Sequence, residues 1–212
     1  MERKPDKNNP SWLIIHHAGG LATDPEWDSS GLTIKQIDDY HKQKWPYFVS
    51  QFGFWAGYHY IITKDGRVTQ TRPNDEEGAH TVGLNTSSIG ICLTGNFSRK
   101  GKNGTPNEEQ KISFANLASE LMKKYDIPLS RIVPHRVFGK TSCYGKNLME
   151  NWARNQVALR ISTEEIKIKL LREKISLIEK LIQIYTILLR QMKASKSGRV
   201  LGGFGSEWHE AQ

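Results

Sequence analysis

The chain has 212 residues, enough for a full hydrophobic core with length to spare, and a formal net charge of +8 at pH 7. The charge favours an anionic partner such as a nucleic acid, a membrane surface or an acidic wall polymer, but there is no nucleic-acid motif and no block of interleaved arginine and aromatic residues, so nucleic acid is not expected. Two cysteines, Cys92 and Cys143, exclude a disulfide framework, and the charged start Met1-Glu2-Arg3-Lys4 lacks the apolar stretch of a signal peptide.

Residues 1–11 read as a flexible, solvated lead-in, followed by a strand at Trp12–His17 that is apolar on both faces. After a loop rich in Gly, Asp and Ser, Thr33-Ile34-Lys35-Gln36 has the form of a capping box and opens a short helix. Ile34, Ile37 and either Tyr40 or His41 fall at helical spacing there, with His41 expected on the helix surface. An aromatic, irregular segment, 45–55, precedes two strand-like runs, 58–63 and 67–70, joined through Asp65-Gly66, a strong hairpin signal. A loop holding Gly78-Ala79-His80 leads to a buried strand over 89–94, in which Cys92 reads as a core thiol. Thr105-Pro106-Asn107-Glu108 is expected to start a helix running to about Tyr125, with Ile112, Leu117 and Leu121 inward, and a closing helix is expected from Asn147 to about Leu159. Strands alternating with helices predict an α/β domain over 12–160.

From Thr163 the pattern changes. Ile168, Leu171, Ile175, Ile178, Ile182, Tyr185, Leu189 and Met192 follow alternating steps of three and four, which predicts a coiled-coil-like helix over 163–193. Leu170, Leu177, Leu181, Ile184 and Leu188 widen the stripe, so a homo-oligomer built on a bundle of three or more helices, or docking onto another surface, is expected through this segment rather than a simple dimer, with packing on its own domain as the alternative. Charged residues interrupt any window long enough to span a membrane. Residues 194–212, rich in Gly and Ser, read as a flexible tail.

The chemistry concentrates in His135-Arg136-Val137-Phe138-Gly139-Lys140-Thr141-Ser142-Cys143. Imidazole and thiolate are good zinc ligands, but two ligands do not make a site, and such a pair alone is more often coincidence. A third ligand is available in His16 or His17, at the end of the first strand. Three protein ligands would leave one tetrahedral position open, as a catalytic zinc requires.

Four ordered motifs carry a resemblance: Leu13-Ile14-Ile15-His16-His17; Gly57-Tyr58-His59-Tyr60 with Asp65-Gly66; Gly78-Ala79-His80 with Asn85 and Ser88-Ile89-Gly90-Ile91; and His135-Arg136 with Thr141 and Cys143. Over about residues 10–155 the chain resembles the type-2, zinc-dependent N-acetylmuramoyl-L-alanine amidases, the group of phage amidase lysozymes and peptidoglycan recognition proteins. The resemblance implies a mixed central β-sheet flanked by helices and one zinc per chain, held by His16, His135 and Cys143. It also implies Tyr58 and Thr141 as catalytic donors, and peptidoglycan as substrate, cut between N-acetylmuramic acid and L-alanine. Adjacent strand residues face opposite ways, so only one of His16 and His17 can aim at the metal; the resemblance selects His16, and His59 is read as core by the same alternation. His80 and Asn85 are expected to border the cleft and touch substrate. The chain departs from the family in Tyr144-Gly145, where Pro-Gly is usual, and in the length of 45–55. No Glu stands out as a general acid and base, so Tyr58 is expected to share proton transfer with the metal-activated water. The protein is read as made without a signal peptide, or with its leader removed, and as acting at the bacterial cell wall. Two rival readings are a non-catalytic peptidoglycan-binding module and a coiled-coil assembly protein.

Overall fold

A computed structural model describes residues 3–200, with side chains to residue 194. The elements in chain order are β1 (Trp12–His17), α1 (Ile34–Lys44), β2 (Tyr60–Ile62), β3 (Val68–Gln70), β4 (Ser88–Leu93), α2 (Glu108–Tyr125), β5 (Ile132–Pro134) and α3 (Trp152–Val200). The strands form one mixed sheet in the order β3-β2-β4-β1-β5. β1 pairs in parallel with β4 and β5, β2 is parallel to β4, and the β2–β3 hairpin is antiparallel. Gly66 turns that hairpin at φ +80°, a conformation that suits glycine.

Both faces of the sheet are covered, which is why β1 and β4 are buried almost throughout and mainly apolar. Leu13, Ile15, Ile89, Ile91 and Leu93 pack with Phe114, Ala118 and Leu121 of α2 and with Ala153 and Val157 of α3. On the other side, Ile61 and Cys92 pack with Ile37 of α1 and with Ala56. The Thr33–Gln36 capping box at α1 is formed in both directions.

Several expectations are corrected. Residues 3–11 are anchored rather than loose: Asn8 is 2 % exposed, and its Nδ2 donates to the carbonyl oxygens of Asn74 and Ser88, both at 2.9 Å. Backbone bonds from Asn8 to Asp75 and from Glu77 to Asp6 fasten the same segment, where burial of an unpaired amide would be costly. The cap of α2 is Asn107, boxed with Gln110, two residues beyond Thr105. Leu121 is buried as expected, with Phe114, Ala115 and Ala118, while Ile112 is 59 % exposed because at 3.6 residues per turn it falls on the helix face opposite Leu121. His41 is buried, because its Nδ1 accepts the Gly57 N–H at 2.9 Å and its ring packs on Tyr58 and Trp45. The closing helix starts at Trp152 and does not stop near Leu159, since no Gly or Pro interrupts residues 152–197.

The chain divides into two units, Met1–Ser162 and Thr163–Gln212. α3 begins in the first and makes up the described part of the second. Within the second, all the stripe residues from Ile168 to Met192 are exposed. No described helix is long and apolar enough to cross a membrane. The helix extends to Val200, into the segment expected as a tail, and the rest of that tail lies outside the described residues.

Candidate metal centre and cleft

Strand alternation sends Ile14 and His16 to the α1 side of β1 and Leu13, Ile15 and His17 to the α2 side. On the α2 side, His17 Nδ1 accepts the Phe97 N–H at 2.9 Å. β1 and β5 are parallel neighbours with Ile15 opposite Pro134, so His16 and His135 arrive together at the carboxyl ends of their strands, with ring centres 4.6 Å apart. Cys143 is brought back to them by its loop. Its carbonyl accepts the Arg136 N–H at 2.8 Å, the Arg136 guanidinium donates to the carbonyls of Gly145 and Leu148, and the buried Tyr144 hydroxyl bonds the carbonyls of Met149 and Glu150. The peptide bond between Cys143 and Tyr144 is cis.

Cys143 Sγ lies 3.7 Å from His16 Nδ1 and accepts the backbone N–H of His17 at 3.4 Å. One ligand atom each from His16, His135 and Cys143 falls within 4.8 Å of the others. A tetrahedral zinc with bonds of about 2.0–2.3 Å needs ligand atoms roughly 3.4–3.6 Å apart. The His16–Cys143 spacing is already near that value, and two imidazoles with a thiolate are a donor set zinc favours, so these residues fit the ion.

His80 holds His16 from behind. His16 Nε2 is 3.1 Å from His80 Nδ1, an arrangement satisfied when His16 carries its proton on Nε2 and leaves Nδ1 free beside Cys143. Asn85 Oδ1 accepts the backbone N–H groups of His80 and Thr81, at 2.9 and 2.8 Å. The His80 ring is wedged against Gly78 and Gly90, where a Cβ would come within 2.5 and 2.6 Å of it respectively. His59 lies deeper, its Nδ1 accepting the Gly90 N–H at 3.1 Å.

Burial, reinforced by the neighbouring histidines, holds His16 and His80 well below the ordinary imidazole range, and burial lowers His135 too. All three are therefore neutral near pH 7, the state a metal ligand needs. Burial pushes the Cys143 thiol up to about 12, against the opposing effects of the His17 N–H and Arg136.

Tyr58 lines the cleft with its ring centre 5.1 Å from that of His16. Burial, then the two cysteines, raise its phenol well above the usual range and keep it protonated. Thr141 is exposed at the cleft edge, where its Oγ1 accepts the Cys143 N–H at 3.2 Å and keeps its own proton to donate. Lys44 and Trp45, which drew no attention as site residues in the sequence, line the same cleft. The available signal was Lys44 standing four residues after Tyr40 on α1. Tyr40 and Tyr58 also border a second, apolar cavity of about 410 Å³ lined by Leu21, Trp27, Leu32 and Ile37.

A five-stranded mixed sheet with a His-His-Cys centre at its carboxyl edge defines an amidase-type hydrolase fold, and comparison with known proteins agrees. Residues 6–146 match the family model described as N-acetylmuramoyl-L-alanine amidase, and the chain belongs to that family. The endolysin of Klebsiella phage KP32 is 30% identical over 154 residues, covering 71% of this chain and 91% of that protein. Peptidoglycan-recognition protein SC2 of Drosophila melanogaster is 29% identical over 144 residues, covering 66% of this chain and 71% of its own length. Among solved structures, the N-acetylmuramoyl-L-alanine amidase LysC from Clostridium intestinale URNW superposes with a TM-score of 0.53 at 29% identity, over 77% of this chain and 86% of that one.

Proposed function

We propose that this peptidoglycan amidase works as a zinc hydrolase at the bacterial cell wall, cutting the amide between N-acetylmuramic acid and L-alanine, with His16, His135 and Cys143 as the ligands of one zinc per chain. The observation that carries the reading is the convergence of those three ligand atoms within 4.8 Å in a chain of the amidase family. When bound, the ion supplies Lewis acidity, bringing the pKa of water toward about 7.

The chain's own residues do the rest. His80 and Asn85 fix the ring of His16 so that Nδ1 points into the cleft, a supporting role that we assign in place of the substrate contact expected from sequence. The Tyr58 hydroxyl and Thr141 Oγ1 donate hydrogen bonds toward the scissile carbonyl oxygen as charge grows on it, each worth about 3 kcal/mol in comparable sites. Among the described residues no carboxylate lines the cleft, so Tyr58 is also the residue we assign to pass a proton to the leaving amine.

The exposed stripe over 163–193 supports a second part of the proposal, a homo-oligomer built by this helix. Apolar residues exposed along this length of helix favour burial against copies of the chain.

The deciding experiment measures bound zinc and release of L-alanine-terminated stem peptide on the same samples. C143S and H16A are expected to lose both, while H17A keeps both. Retention of one zinc per chain by C143S would overturn the ligand set.

A further inference from the structure

Tyr40 stands between two recesses of opposite character. On one side is the apolar cavity of Leu21, Trp27, Leu32 and Ile37; on the other is the polar cleft holding His16, His135 and Cys143 together with Lys44 and Trp45. Lys44 sits in the last turn of α1, one helical turn beyond Tyr40, so both side chains share a helix face. Its Nζ lies 5.3 Å from the centre of the Tyr40 ring and 5.5 Å from that of Trp45. The two rings direct the ammonium and shield part of its hydration. Lys35, earlier on the same helix, is matched by Asp39 at 2.6 Å, whereas among the described residues no carboxylate pairs with Lys44. An unmatched cation steadied by two rings, in the cleft that holds the metal ligands, is arranged for an anion that arrives with the substrate.

We infer that Lys44 is a specificity-determining residue, binding the free α-carboxylate of the D-glutamate that follows L-alanine in an acidic stem peptide. The inference rests on the amidase reading and deepens it. The scissile bond lies at the L-alanine end of the stem, so a peptide leaving the metal centre toward Lys44 presents this carboxylate one residue beyond the cut. A single ammonium offers three donors and a full charge, and its hydrogen bond to a carboxylate is about twice as strong as one between neutral groups. Among the described residues lining the apolar recess there is no lysine or arginine, so the charge on Lys44 also sets the direction in which the substrate lies across Tyr40.

The test uses the full chain and two soluble muropeptides that differ only in whether this carboxylate is free or amidated. The parent is expected to favour the free acid by about tenfold in kcat/KM, carried mainly by KM. K44Q should bring the ratio to about one and K44R should restore most of it, with zinc content equal in all three proteins. A ratio near one in the parent, or an undiminished ratio in K44Q, would overturn the role of Lys44 while leaving the amidase reading intact. Hydrolysis of neither muropeptide by the parent would overturn the amidase reading, and with it the role built upon it.

Discussion

Replacing Gly90 with alanine would drive a methyl group into the His80 ring, since a Cβ there falls 2.6 Å from ring atoms. The ring must then release His16. We expect G90A, and more gently N85A, to weaken metal affinity roughly 10–100-fold, the usual cost of losing such outer support. Chelator competition, run beside a melting curve to exclude unfolding, measures this; unchanged affinity in both would show that His80 does not orient His16. Cys143 adds a pH dependence. Its thiol is protonated across the neutral range, so loading the metal releases one proton. Affinity should therefore rise as pH rises and fall as pH falls, by about tenfold per unit between pH 6 and 8. A flat profile would mean that sulfur is not a ligand. At this scale the placing of His16 and His17 on opposite faces was legible from two adjacent letters, because strand period is a local property, while the choice of His16 for the cleft came from the resemblance. The stacking of His80 behind His16 was not, because it depends on two glycines from different segments leaving room for one ring.

Helix starts and turns show the same division between local and distant causes. The Thr33–Gln36 box and the Asp65-Gly66 turn could be read because their partners lie within three residues. The start of α2 lies two residues beyond the expected one because Thr105 with Glu108 and Asn107 with Gln110 both have the form of a capping box, and the chain forms the second. The anchoring of residues 3–11 was invisible for a related reason: Asn8 is held by Asn74 and Ser88, far along the chain. N8A should cost about 1–3 kcal/mol by stranding these buried groups, measurable by denaturant unfolding; a change near zero would show that water replaces the amide. For the long helix, I178K combined with I182K places two charges on the exposed stripe. The double variant should sediment as a monomer while still hydrolysing soluble muropeptides. Monomeric behaviour of the parent itself would refute self-association.

The molecule as a whole carries three histidines, His17, His41 and His59, that burial lowers to about 4 from 6.5. The unfolded chain binds protons at these rings below 6.5 while the folded chain refuses them until about 4. Stability is thus complete above 6.5 and is lost as pH falls toward 4, on the order of 1 kcal/mol per pH unit for each ring. Melting of the metal-free protein from pH 7 to 4.5 would reveal the slope, and a melting temperature independent of pH would contradict it. The net charge of +8 adds a salt dependence to work on an anionic wall, expected to weaken as ionic strength rises.

The parallel pairing of β1 with β5 joins the first strand of the chain to its last. His16 emerges early in synthesis, but the groups it must meet, His135 and Cys143, follow only after more than half of the chain has been made. A nascent polypeptide that has reached α2 therefore owns one of the three proposed ligands and a nearly finished sheet. With His16, His135 and Cys143 as the proposed ligands, metal capture would have to wait until the edge strand has docked. A release series of ribosome-stalled chains should acquire zinc abruptly once Cys143 clears the exit tunnel, and gradual acquisition at shorter lengths would show that the centre is assembled piecemeal.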